Sequence, residues 1–297
     1  VLDFLRRSTT LEWLQRKALV PLGERLALFF ARRATAPPAR PSTPAITASS
    51  LWLGRVVGGL VLAAIGYAVV RAGLLLSELT KAETIEIARG AGATWLRVVA
   101  ALLISTIWTI PAGVAIGLNP RLARVAQPLA QIAASVPATA LFPILLLLLL
   151  RVGGGLNLGS VLLMVLGTQW YLLFNVIAGA MAIPTDLKEA AKVYHFGLAD
   201  RWRMVILPGI FPYLISGFVV AAGGAWNASI VAEYFHFGGQ ILSTTGLGAT
   251  ISHATAAGNF RMLLAATIVM ATMVVTINRL VWRRLYRLAE TRFKLET

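Results

Sequence analysis

The sequence predicts an all-α membrane protein with six transmembrane helices, and three observations carry that prediction. The 297 residues are 58% hydrophobic, with a mean hydropathy of +0.76. Only 13% are charged, about half of the roughly 25% carried by soluble domains, too few to cover a folded surface in water. The apolar residues gather into uncharged runs of the roughly 20 residues that cross a hydrocarbon core about 30 Å thick at 1.5 Å per residue.

Residues 1–34 interleave Leu11, Leu14, Leu19, Leu22, Leu26 and Phe29 with Arg16, Lys17, Glu24, Arg25, Arg32 and Arg33. That is too charged to span hydrocarbon and fits a basic amphipathic segment lying on headgroups. Residues 35–50 are rich in Pro, Ser and Thr, the composition of an extended linker. A transmembrane domain follows over 51–288. Its predicted spans are Leu51 to Leu76, Val98 to Leu118, Val125 to Leu150, Leu156 to Ile183, Pro208 to Ala232 and Met262 to Val281. Arg55 and Arg71 lie close enough to the ends of the first span to snorkel. Residues 289–297 form a short tail.

Charge sets the orientation. With the amino terminus inside, 21 of the 27 Lys and Arg residues face the cytoplasm. Only Arg71, Lys81, Arg89, Arg97, Arg151 and Arg261 face out. This is a strong positive-inside bias, and it puts both termini, the opening segment and the loop between spans four and five in the cytoplasm. On so apolar a chain the same bias explains the net charge of +15, so nucleic-acid binding is excluded as its reading. Without cysteine there is no disulfide, thiolate nucleophile or Cys-based metal site. His195, His236 and His253 show no metal-ligand spacing. The chain opens on Val1; a processed product, an unusual start or a fragment of a longer polypeptide would each give that.

The cytoplasmic loop 185–207 is not shapeless. Thr185 or Asp186 is placed to cap a short helix, and Asp186 with Glu189 spells a D-x-x-E capping box. Leu187, Ala190, Ala191 and Tyr194 recur at helical spacing as one smooth apolar stripe. Gly197 is suited to reverse the chain at positive φ. A basic segment with Arg201 and Arg203 then leads to Leu207 and Pro208, and proline suits the first turn of a helix. The expected result is a helix–turn–helix joined to two membrane helices and shaped to dock on a partner, its alanines allowing close approach.

This stretch resembles the "EAA" loop of ATP-binding-cassette importer permeases. Glu189, Ala190, Ala191, Leu207 and Pro208 match that pattern, and Val205 stands for its isoleucine. The patterned glycine falls on His195. Because a histidine at positive φ is uncommon, the nearby Gly197 is expected to take over the reversal. Two further stretches, "WTIPAGVAIGLNPRLARVAQPLAQIAASVPATALFPI" and "AWNASIVAEY", resemble the nitrate, sulfonate and taurine branch of these permeases. The resemblance covers residues 95–288. It is closest to a subgroup in which two units are fused, which would make residues 1–50 a connector from a preceding copy.

The resemblance implies a type I importer permease fold and an inner-membrane half-transporter for a small anion such as nitrate, a sulfonate or bicarbonate. It implies as partners a cytoplasmic ATPase, a second permease unit and a periplasmic substrate-binding protein. ATP and Mg would be bound by the ATPase and no cofactor by this chain, which is not itself an enzyme. "GAGAT" and "GGGLNLG" indeed lack the G-K-[ST] of a phosphate-binding loop. The resemblance also implies ATPase-coupling roles for Glu189, Ala190, Ala191, Tyr194, Gly197, Arg201, Leu207 and Pro208. Polar groups in the spans need partners and tend to face a bundle interior. Gln169, Asn175, Asn227, Ser229 and the rim residue Glu233, with Trp170 and Trp226 as walls, therefore either line a solute path or bond helix to helix. Pro111, Pro137 and Pro143 break spans two and three. Gly113 and Gly117 read as a packing motif. An ion-coupled transporter or channel is the alternative reading; it would ordinarily carry ionisable residues at mid-membrane, and spans two to six hold none except near their ends.

Overall fold

The computed structural model describes residues 48–292. The basic segment predicted for 1–34, most of the linker, the connector reading of residues 1–50 and the end of the tail lie outside the described residues. The chain divides into two compact units, Val1–Val69 and Val70–Thr297. Helix α1 (Ala48–Ser77) crosses the boundary between them. Over residues 56–69 of the first unit its side chains, Leu60, Leu62 and Tyr67 among them, are exposed, as suits a helix whose solvent is lipid.

In the second unit, α2 (Lys81–Leu118) is 38 residues long, about 57 Å. It is nearly twice the length of the span predicted from Val98. Its leading turns carry Lys81, Glu83, Glu86, Arg89 and Arg97 and project beyond the hydrocarbon. The helix starts at a full capping box: Glu83 N–H donates to Thr80 Oγ1 at 3.2 Å, and Thr80 N–H donates to Glu83 Oε2 at 2.8 Å. On this projecting turn Glu83 also accepts from Arg261 Nη2 at 2.8 Å. The Thr80 donors, backbone first, and then Arg261 hold the Glu83 carboxyl down at about 2.

The third predicted span is not one helix. Helices α3 (Pro120–Ser135) and α4 (Ala138–Arg151) meet at 81°. Val136 between them is extended, at φ −76° and ψ 120°, because a residue before proline is pushed out of the helical region and Pro137 cannot donate to the preceding turn. The pair nevertheless counts as one crossing. A Cβ added to Gly113 would lie 2.7 Å from Val176, and one on Gly117 would lie 2.6 Å from Ala180. Helices α2 and α5 (Gly155–Ala182) therefore run parallel, and the bent pair must carry the chain back between them. Five straight spans and one bent pair make six crossings.

Helix α6 (Thr185–Val193) is the predicted cytoplasmic helix. Helix α7 (Leu198–Glu233) then runs antiparallel to α5, since Gly179 faces Ile210 and Tyr213 while Gly217 faces Asn175. The span expected to begin at Pro208 thus starts ten residues earlier. Residues Arg201–Ile206 are wound as a π-helix, with Leu207 N–H donating to Trp202 O. Proline lacks an N–H and its ring crowds the carbonyl one turn back; the wider turn ahead of Pro208 lets the helix run through.

The helical bundle carries one short ribbon that the sequence reading did not include. Strands β1 (Tyr234–Phe237) and β2 (Gln240–Ser243) form an antiparallel ribbon. Its two-residue loop, Gly238 and Gly239, has φ of 58° and 78°, the positive pair that fits the twist of flanking strands. Helices α8 (Leu247–Ala256) and α9 (Phe260–Ile277) follow. A π-helical turn, Asn278–Trp282, leads into α10 (Arg283–Arg292), which places the start of the predicted tail inside a helix. The core runs along α5, with Leu163, Leu172 and Val176 packed among Val98 and Ala101 of α2 and Ile210 and Ala221 of α7.

Because a Cβ on Gly117 would also lie 2.7 Å from the carbonyl oxygen of Ile177, backbone blocks any side chain there. Gly117→Val should cost about 1–3 kcal/mol and lower the melting temperature in detergent. Gly92→Ala, with nothing within 4 Å, should leave it unchanged or raise it.

Candidate functional site

At the elbow between α5 and α7, the predicted capping box does not form. Pro184 is the N-cap of α6, with no side-chain cap bond, and Glu189 is exposed. The reversal also differs from expectation. His195 takes the left-handed position at φ 50°, whereas Gly197 is extended at φ −63°. Phe196 N–H donates to Ala191 O and His195 N–H to Lys192 O, both at 3.0 Å. This is the Schellman pattern of a helix end with histidine where glycine is usual. The hydrogen bonds of that motif, rather than residue preference, decide which residue turns. Once His195 turns, Gly197 has no need to.

The predicted apolar stripe divides. Ala191 is 3% exposed and faces a cavity shared with Val205 and Ile206, so its small side chain closes the elbow inside this chain. Ala190 is half-buried. Leu187, Val193, Tyr194 (74%) and Leu198 (80%) face outward, with the Tyr194 and Phe196 rings 6.4 Å apart. Arg201 and Leu207 are exposed, and Pro208 is half-buried.

The pathway candidates do not converge on one point. Gln169 is buried on α5, and Trp170 stands edge-on to Trp108 at 6.5 Å. Asn175 donates to Tyr171 O of its own helix at 2.8 Å. Ser229 donates to Trp226 O at 2.7 Å, and Trp226 is buried. Asn227 is exposed, one turn beyond Gly224, whose neighbour is the Tyr171 ring.

Glu233 ends in a network at the end of α7 away from the elbow. Fully buried, it accepts from Thr94 Oγ1 at 2.8 Å, Arg97 Nη1 at 2.9 Å and Gly248 N–H at 2.9 Å. Arg97 also donates to Thr245 O at 2.6 Å, Asn157 Oδ1 at 2.8 Å and Thr244 Oγ1 at 2.9 Å. Thr244 donates in turn to Asn157 Oδ1, and Leu247 N–H donates to Thr94 Oγ1 at 2.8 Å. Glycine is required beside it, because a Cβ on Gly246 would lie 2.1 Å from the Glu233 carboxylate. Four elements (α2, α5, α7 and the β2–α8 turn) are tied by one ion pair with its lone pairs filled. Sequence reasoning only counted Arg97 among the basic residues facing out; the signal it held was an arginine and a glutamate each bounding a long uncharged run. Outside this network a cleft of about 480 Å³ opens between Glu86, Thr245, Thr250 and His253.

A bundle of apolar, span-length helices with an elbow at one end and a buried ion pair at the other is the architecture of a multi-pass membrane protein. The binding-protein-dependent transport system inner membrane component family matches residues 109–294, and the chain belongs to that family. Its relatives include the nitrate import permease protein NrtB of Leptolyngbya laminosa, 26% identical over 185 residues, 62% of this chain and 63% of that one. The taurine transport system permease protein TauC of Escherichia coli is 28% identical over 183 residues, 62% and 61%. The bicarbonate transport system permease protein CmpB of Synechococcus elongatus is 30% identical over 142 residues, 48% and 49%. The chain thus spans less than two thirds of these relatives' length. Among solved structures, the inward-facing MetNI methionine ABC transporter aligns with a TM-score of 0.58 at 18% identity, over 71% of this chain and 99% of that one. The shared fold is that of an importer permease.

Two stability predictions follow from this geometry. Glu233→Ala strands a buried arginine and should cost about 3–5 kcal/mol, read as a lower melting temperature; Ile241→Ala on the exposed ribbon should not. His195→Gly removes the left-handed penalty of about 1–2 kcal/mol and should raise the melting temperature.

Proposed function

We propose that this chain is the permease subunit of an ATP-driven importer of a small polar solute, an anion of the nitrate, sulfonate or bicarbonate class, and that α6 couples it to a separate ATPase. The observation that carries the reading is the elbow. Leu187, Val193, Tyr194 and Leu198 expose apolar surface on a segment that also carries Asp186, Lys188, Glu189, Lys192 and Asp200. A contiguous exposed apolar patch rimmed by charge is the mark of a protein contact. This patch projects on the side that the basic residues identify as cytoplasmic.

The elbow also suits the transmission of force. Only the Schellman closure and Gly197 separate α6 from α7, and α7 continues unbroken through the bundle to Glu233. A displacement of α6 by a nucleotide-driven partner would move α7 as a rod rather than flex a loop, a rigid-body change. A second permease unit would complete the solute path, with Tyr171 and Asn227 on faces that this chain leaves open. A periplasmic binding protein would deliver solute to the outer end, where the cleft beside Thr245 and His253 lies. The names of the relatives support the solute class, and both termini are read as cytoplasmic from charge.

Coupling is tested by solute uptake in cells expressing the chain with its ATPase. Tyr194→Asp with Leu198→Asp should lower uptake about tenfold or more, a loss worth roughly 1.4 kcal/mol, while the chain still reaches the membrane. Ala190→Trp should do the same by holding the partner off. Unchanged uptake in both variants would contradict the reading.

A further inference from the structure

The inner end of the bundle holds a second feature, on the flank of α6 that carries Lys188, Ala191 and Lys192. Where the elbow meets the ends of α2 and α5, a cavity of about 280 Å³ is walled by Leu118, Ile183 and Ile206 and rimmed by Lys188, Lys192 and Arg201. None of these three cations forms an ion pair among the described residues. The ion pairs found there, Arg97 with Glu233 and Arg261 with Glu78 and Glu83, are all at the outer end. Asp186, Glu189 and Asp200 stand in the same elbow and pair with none of the three. Three like charges around one small cavity repel one another unless an anion sits between them.

Depth identifies the anion. Leu118 closes the uncharged run from residue 98, which at 1.5 Å per residue is about 31 Å and matches the hydrocarbon thickness. Ile206 lies 27 residues below Glu233 along α7, about 40 Å. The cavity therefore lies in the headgroup layer of the inner leaflet, just past the hydrocarbon edge. Its walls are apolar and its rim is cationic, the order in which a phospholipid presents acyl chain and phosphate.

We propose that this cavity binds the phosphate of an anionic phospholipid, with Lys188, Lys192 and Arg201 on the phosphate oxygens and the first methylenes against Leu118, Ile183 and Ile206. Ammonium and guanidinium groups both make charge-assisted bonds to phosphate. The lipid would brace the elbow against the membrane and leave the Tyr194 face open. The assignment rests on the inward orientation of this loop and not on ATPase docking, so the two can fail separately.

The test uses the purified full chain in detergent, without any ATPase. Native mass spectrometry compares retention of phosphatidylglycerol and phosphatidylcholine supplied at equal mole fraction. The unmodified chain should prefer phosphatidylglycerol. Lys188→Gln with Lys192→Gln should lower that preference about fivefold for each cation removed, at about 1 kcal/mol per basic residue near an anionic surface. Lys188→Arg with Lys192→Arg should keep it, which separates lost charge from lost fold. Equal retention of the two lipids by the unmodified chain, or an unchanged preference in the glutamine variant, overturns the proposal. So does displacement of the lipid by inorganic phosphate at millimolar concentration, which would mark a free-phosphate site. A preference that appears only when an ATPase is added would assign the cations to that partner and overturn it as well.

Discussion

The rest of the structure depends on how closely α5 is held between α2 and α7. Gly113 and Gly117 bring α2 down onto Val176 and Ala180, and Gly179 and Gly217 bring α7 onto the other side of α5. In lipid there is no hydrophobic force pulling helices together, since acyl chains are as apolar as leucine. Association relies on close van der Waals contact, and small residues permit it. Those contacts fix α5 parallel to α2 and antiparallel to α7. The directions in turn require α3 and α4 to return the chain across the membrane as one bent unit.

Held this way, α7 links two very different ends. Its C-terminal end is Glu233, desolvated and satisfied by Thr94, Arg97 and the Gly248 N–H. A buried ion pair contributes little net stability against an apolar substitute, but it strongly disfavours arrangements in which either partner is left alone. The network therefore acts by fixing where α2, α5, α7 and the turn before α8 meet. Its N-terminal end is the elbow, joined to the rod through a π-helical turn that absorbs Pro208. A rod fixed above and exposed below is suited to carry motion from a partner into the bundle.

Much of this was legible in the sequence because lipid imposes a strong rule: uncharged runs of span length must be helices. Five of the six predicted crossings are straight helices that contain nearly all of their predicted residues. The remaining one was rightly read as broken at Pro137, but hydropathy alone does not give the 81° bend there, nor that Pro111 and Pro143 stay inside their helices. The projecting turns of α2 were missed because charge was read as loop, although Thr80-x-x-Glu83 spelled their cap. The ribbon was likewise legible in "YFHFGGQILS", whose aromatic and branched residues flank a Gly-Gly turn. The elbow was placed correctly as a helix, a reversal and a second helix, but its details were not. Which residue turns is decided by hydrogen bonds to Ala191 and Lys192, and which alanine faces inward is decided by the neighbouring π-helical turn. The Arg97–Glu233 pair joins residues 136 positions apart, a distance no local pattern spans.

The central claim is that the α6 elbow faces the cytoplasm and presents its Tyr194 side to a nucleotide-driven partner. The chain has no cysteine, so a single Tyr194→Cys gives an unambiguous probe. The direct measurement is labelling of that thiol by a membrane-impermeant reagent in right-side-out and inside-out vesicles, with and without the co-expressed ATPase. The account predicts labelling in inside-out vesicles alone and protection when the ATPase is present. Labelling from the outside, or labelling that the ATPase leaves undiminished, would contradict it.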